Sequence, residues 1–172
     1  AGPSRRRRVA PRPCLEASWS WGCSRGVALR GVDGFFAQQF FIGAVSDQYN
    51  GFLEIFGDRA VYAVHGNMCG FKIRSSLPES LEFTIEGYRF GLYHGDGIGY
   101  DRETELISRF AEADCIIFGH THRPLIQKFG PVLLVNPGTF RGSGRYGRSG
   151  TYAILTIDEN ALSAAIHRLP PE

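Results

Sequence analysis

The chain lacks several features that would narrow its function at once. No apolar run is long enough to span a membrane as a helix. The four cysteines, Cys14, Cys23, Cys69 and Cys115, contain no CxxC pair, so neither a disulfide framework nor a zinc knuckle is indicated. Net charge is only +2, too small to argue for nucleic acid. The segment Ala1–Gly22 carries arginines but lacks the apolar core of a signal peptide. The default expectation is therefore a cytoplasmic protein with neither a membrane nor a nucleic-acid partner.

What remains is an ordinary globular composition. The chain has 172 residues, 43% hydrophobic and 21% charged. That length predicts one domain with a sizeable core. Arg5, Arg6, Arg7, Arg8 and Arg12 concentrate positive charge at the start, leaving the remainder near neutral or acidic. Residues 1–30 show neither helical nor strand period and read as an irregular tail or an altered segment. Residues 31–172 read as the single domain.

Along that domain, strands are predicted at Phe40–Val45, Ala60–Val64, Leu81–Ile85, Tyr88–Tyr93, Cys115–Phe118, Val132–Val135, Tyr152–Ile157 and Ala161–Leu169. Glu86-Gly87 is a tight hairpin signal between two of them. Tyr49–Phe56 suits a short helix. Arg102–Ala113 carries Leu106, Ile107, Phe110 and Ala113 at helical spacing, which predicts an amphipathic helix. Gly142–Gly150 is glycine-rich and basic, a surface-loop pattern.

The organising stretch is Cys115–Pro124. An apolar run stops at Gly119 and gives way to His120-Thr121-His122-Arg123. In a regular strand, histidines at i and i+2 share one face. Past a strand end they can instead splay toward neighbouring metal ions, and neutral imidazole is a common metal ligand near pH 7. Two surface histidines in a turn are the plainer alternative. Three other apolar runs end the same way, at Asn67, His94 and Asn136, each beside or close to a glycine. Sites in open α/β sheets gather beyond the carboxyl ends of strands. His65 and His167 are better read as structural.

Gly66-Asn67, His94-Gly95, Gly119-His120-Thr121-His122-Arg123-Pro124 and Asn136-Pro137-Gly138-Thr139 appear in the order found in calcineurin-like metallophosphoesterases. Over residues 59–169 the chain resembles that family. It looks most like the small bacterial and archaeal phosphodiesterases, a subgroup that also contains a retromer subunit of related fold. The resemblance implies an α/β fold: two facing mixed β-sheets flanked by helices, the αββα sandwich. It implies two divalent ions per site, manganese, zinc, nickel or iron, with Asn67, His94 and His120 on one and His122 on the other. In that chemistry two ions activate water for in-line attack at phosphorus and offset the developing charge. The implied partner is a small phosphodiester substrate, and a homo-oligomer is compatible with it. Arg123 and Arg141 lie next to strand-end loops, where either could reach a phosphate oxygen or simply stay solvated.

The chain departs from the family pattern before residue 45. The family's first strand ends Asp-x-His and its second ends Gly-Asp, the second aspartate bridging both ions. Counting back from Asn67 by the family's usual interval puts Ala44 at the bridging position. A second register reads Val45–Tyr49 as the opening motif and keeps Asp47 as a ligand, but it leaves too few residues before Asn67 for the intervening strand, so the first register is preferred. Neutral imidazoles and an amide cannot offset the +4 of two divalent ions. Weak metal binding, or one ion only, is therefore expected, with impaired phosphodiester hydrolysis. Two accounts remain open. One is a non-catalytic interaction module on the same fold. The other is an altered stretch over residues 1–44 on an enzymatic family member.

Overall fold

A computed structural model describes residues 61–139, 150–158 and 161–169, together with the backbone of two earlier strands, Val27–Gly31 (β1) and Phe41–Val45 (β2). The remaining strands are β3 (Val61–His65), β4 (Ser80–Ile85), β5 (Tyr88–Tyr93), β6 (Cys115–Phe118), β7 (Leu125–Phe129), β8 (Val132–Asn136), β9 (Thr151–Asp158) and β10 (Ala161–Arg168). Two helices are described, α1 (Phe71–Ser76) and α2 (Arg102–Arg109). The strands form two five-stranded mixed sheets, ordered β10-β9-β1-β2-β3 and β4-β5-β6-β8-β7. This is the α/β architecture expected from the sequence.

Alternation along the strands explains how the layers stack. Cys115 and Ile117 of β6, Leu133 and Val135 of β8, and Phe90 and Leu92 of β5 face the first sheet. There they meet Val64 of β3 and Ala153, Leu155 and Ile157 of β9. Burial in this layer pushes the Cys115 thiol pKa well up, so the sulfur is an inert core group. The intervening residues, Ile116, Phe118, Leu134 and Tyr93, turn to the opposite face and pack with Leu106 and Phe110 from α2 and its C-terminal cap. Such two-sided burial is why β6 and β8 read as continuous apolar runs rather than alternating ones.

The hairpin at Glu86-Gly87 forms as its sequence requires. Glu86 has φ 48° and Gly87 φ 82°, two positive values as in a type I′ turn. The predicted helix over 102–113 is shorter. Phe110 leaves helical geometry at φ −127°, ψ 60°, and Ala113 is buried by a tight turn in which its N–H bonds the Phe110 carbonyl. Three elements escape the sequence reading. β1 crosses the boundary expected at residue 30. β7 is a half-exposed edge strand without clean alternation, and α1 buries only Ile73. The helix expected at Tyr49–Phe56 and most of the loop expected at Gly142–Gly150 lie outside the described residues.

α2 approaches β5 closely because position 91 has no side chain. A Cβ there would stand 2.5 Å from Cγ of Phe110. Gly91→Ala should destabilise the fold by about 1–3 kcal/mol, read as a lower urea midpoint. Adding Phe110→Leu should recover part of that loss. An unchanged midpoint in the single variant would mean that α2 is not seated as described.

Candidate functional site

The carboxyl ends of β3, β5, β6 and β8 carry the polar groups singled out in the sequence. β3, the edge strand of the first sheet, lies against β4 and β5 of the second. This brings Asn67 over His94, with Oδ1 3.0 Å from Nε2. His94 is buried, whereas Asn67 and His120 are exposed above it. The His94 and His120 rings meet edge-on at 5.3 Å between centroids. Gly66 permits the arrangement: a Cβ on it would stand 2.9 Å from Cε1 of His94.

The strand–loop junction after β6 is unusual backbone. Both His120 (φ 62°) and His122 (φ 60°) adopt left-handed geometry. A non-glycine residue there costs on the order of 1–3 kcal/mol and persists only where surroundings hold it. The holding group is Asn136, 1% exposed. Its Nδ2 donates to the Gly119 carbonyl at 2.9 Å and to Thr121 Oγ1 at 3.1 Å. Its Oδ1 accepts from the Gly138 N–H at 3.0 Å. The Gly119 N–H in turn donates to the His94 carbonyl at 3.0 Å, joining the two histidine-bearing strand ends.

Asn67, His94 and His120 therefore come together. His122 lies two residues on, beyond Thr121. Arg123 is exposed and lines a cleft with Thr121 rather than joining the cluster. Arg141 and Asp47 lie outside the described residues. His65 takes no part in the cluster, and its Nδ1 is buried with no hydrogen-bond partner among the described residues. His167 stacks on Tyr152 across the β9–β10 ladder, 5.2 Å between centroids. Asn136, a strand-end group like the others, acts as the brace of the loop. Thr121, the residue between the two histidines, was not singled out in the sequence although its hydroxyl sits at the junction of brace and cleft.

The donor set can be tested against a cation. Two ligands each about 2.1 Å from an ion and at right angles stand about 3.0 Å apart, the separation of Asn67 Oδ1 and His94 Nε2. The cluster contains one amide and two imidazoles and no carboxylate. Among the described residues no three His, Cys, Asp or Glu side chains gather into a metal-ligand group. The 3.0 Å contact is a hydrogen bond here, and the same spacing is compatible with one divalent ion; the charge of an amide and two imidazoles does not suit two.

Gly66→Ala should push the His94 ring aside and break its bond to Asn67. The expected result is a loss of about 1–3 kcal/mol in unfolding free energy, together with a shift of the His94 ring proton resonances. Unmoved His94 resonances would show that the ring does not rest on Gly66.

Comparison with known proteins agrees with this fold. Residues 40–160, more than half of the chain, match the calcineurin-like phosphoesterase superfamily domain. A probable metallophosphoesterase of Methanothermobacter thermautotrophicus is 38% identical over 81 residues, 46% of each chain. Another from Methanocaldococcus jannaschii is 34% identical over 82 residues, 46% of this chain and 41% of that one. The matched stretch thus spans less than half the length of these curated relatives. Among solved structures, a Thermotoga maritima protein is similar with TM-score 0.59 and 27% identity, covering 84% of this chain and 99% of its own. Vps29 of Entamoeba histolytica, solved with zinc, shares the fold at TM-score 0.60 and 19% identity, over 84% of this chain and 98% of its own. On the extent of the domain match, this chain belongs to the calcineurin-like phosphoesterase superfamily.

Proposed function

We propose that this chain is a metal-dependent phosphodiesterase whose centre is built on Asn67, His94 and His120, with His122 as a further ligand. The observation that carries this reading is the 3.0 Å spacing of Asn67 Oδ1 and His94 Nε2, with the His120 ring alongside. A divalent ion held there would act as a Lewis acid on a phosphoryl oxygen and lower the pKa of water. The protein's own contributions are separable from that. Asn136 fixes the loop carrying His120 and His122. Gly66 gives the His94 ring its seat. Arg123 stands at the cleft edge, where a guanidinium can pair with phosphate oxygens.

The missing carboxylate is best supplied by Asp47. In the parallel β2–β3 ladder, Val45 is opposite His65 and Ala44 is opposite Val64. Asn67 follows His65 by two positions, and Asp47 follows Val45 by two. Ala44 falls inside the strand, whereas Asn67, His94 and His120 all come after strand ends. One carboxylate still leaves two divalent ions under-neutralised, so one ion binds readily and hydrolysis is slow. Manganese, zinc, nickel and iron are all compatible with these ligand types.

A second reading, a non-catalytic interaction module, is favoured by one observation. Met68 and Phe71, just past Asn67, are 86% and 87% exposed, and a partner protein could cover them.

Manganese titration calorimetry on the full chain, with bis-p-nitrophenyl phosphate hydrolysis alongside, separates the two. Asp47→Asn should weaken manganese affinity at least tenfold, and Ala44→Asp should leave it unchanged. His120→Ala should lower hydrolysis at least a hundredfold. Tighter binding in Ala44→Asp, with no effect of Asp47→Asn, would reverse the register. A wild-type chain that neither binds manganese nor hydrolyses the diester would select the interaction module.

A further inference from the structure

Next to the histidine loop is a cleft of about 460 Å³ lined by Arg102, Thr121, Arg123, Pro124 and Leu125. Its size is that of a small-ligand pocket. It adjoins the proposed centre through Thr121, which separates His120 from His122.

The polar side chains lining it are donors. Thr121 Oγ1 accepts two hydrogen bonds, from Asn136 Nδ2 at 3.1 Å and from the Arg123 N–H at 3.3 Å. A hydroxyl has two acceptor lone pairs and one proton. With both lone pairs engaged, the Thr121 proton is left to be donated. Arg102 makes no ion pair among the described residues. Its guanidinium carbon lies 5.9 Å from the centre of the Phe118 ring, which keeps the charge near the cleft. The Arg123 side chain adds a second cation to the lining. No acidic side chain is among the residues lining this cleft. Asp101 and Glu105 line a separate cleft, and both Glu105 oxygens accept from the Gly99 N–H at 3.1 Å. Pro124 and Leu125 supply an apolar wall, which strengthens charge-assisted hydrogen bonds by excluding water.

From these donors we infer that Arg102, Thr121 and Arg123 form a second anion subsite, which selects phosphoesters carrying a further phosphate group. This inference rests on the proposed phosphoesterase function. One phosphate sits over the strand-end cluster. The other sits in the cleft, where a planar guanidinium can bind two of its oxygens and the Thr121 hydroxyl a third. The substrate class is then a diphosphate or a nucleotide-type ester rather than an isolated phosphodiester.

The test is calorimetric titration of the full chain with inorganic pyrophosphate and with inorganic phosphate, both in excess chelator. Pyrophosphate should bind at least tenfold more tightly than phosphate. Arg102→Gln should weaken pyrophosphate binding about tenfold, as expected for loss of a charge-assisted pair. Arg102→Lys should recover part of it. Thr121→Ser, which keeps the hydroxyl, should bind pyrophosphate more tightly than Thr121→Val, and equal affinities would remove Thr121 from the subsite. Equal affinity for the two anions, or wild-type affinity in Arg102→Gln, overturns the subsite. Because no metal or turnover is involved, those outcomes overturn it even if the chain hydrolyses phosphodiesters. Arg102 dependence in a chain that hydrolyses no phosphodiester upholds the anion subsite and rejects the phosphoesterase reading on which the substrate class rests.

Discussion

One buried amide governs the site. Asn136 uses its N–H groups on Gly119 and Thr121, 17 and 15 residues away in sequence, and its carbonyl oxygen on Gly138, two residues on. Two histidines in left-handed backbone geometry cannot hold themselves there. They are held because a parallel neighbour, β8, ends where β6 ends and offers an amide at that level. The rest of the fold serves to make those two ends coincide. β6 and β8 are buried on both faces, so neither can slide in register without exposing its apolar residues.

The same logic explains what could be read from sequence. β5, β6 and β8 were legible because each is an apolar run with a punctuating glycine or asparagine. The hairpin at Glu86-Gly87 was legible because its turn needs positive φ. β7 was not, since an edge strand with one wet face and Ile126 half exposed has no period to detect. α1 has a single buried residue, Ile73, which no amphipathic pattern can announce. The meeting of Asn67 with His94 depends on one sheet lying over the other, which local patterns do not encode. The family resemblance supplied it instead. Thr121 and Arg102 escaped notice for a related reason. A threonine between two histidines and an arginine opening a helix are each unremarkable until the loop and α2 are seen to share a cleft.

Charge is the second constraint. Among the described residues the strand-end cluster is an amide and two imidazoles, and the adjoining cleft is lined by two arginines. An amide and imidazoles by themselves give a cation little electrostatic reward, and the cationic cleft discourages a second one nearby. Anionic ligand and cation are thus mutually reinforcing: each offsets the field that opposes the other. Under the proposed reading, metal affinity measured without an anion should understate the affinity with one present.

The brace has a chemical lifetime as well as a geometry. Asparagine ages to aspartate when the following backbone nitrogen attacks the side-chain amide, and that attack needs a nitrogen bearing a proton. The residue after Asn136 is Pro137, which has none. The amide on which the loop depends is therefore closed to this cyclisation route, while Asn67, followed by Met68, is open to it. With age the exposed asparagine beside His94 is open to a loss from which the asparagine that shapes the loop is protected.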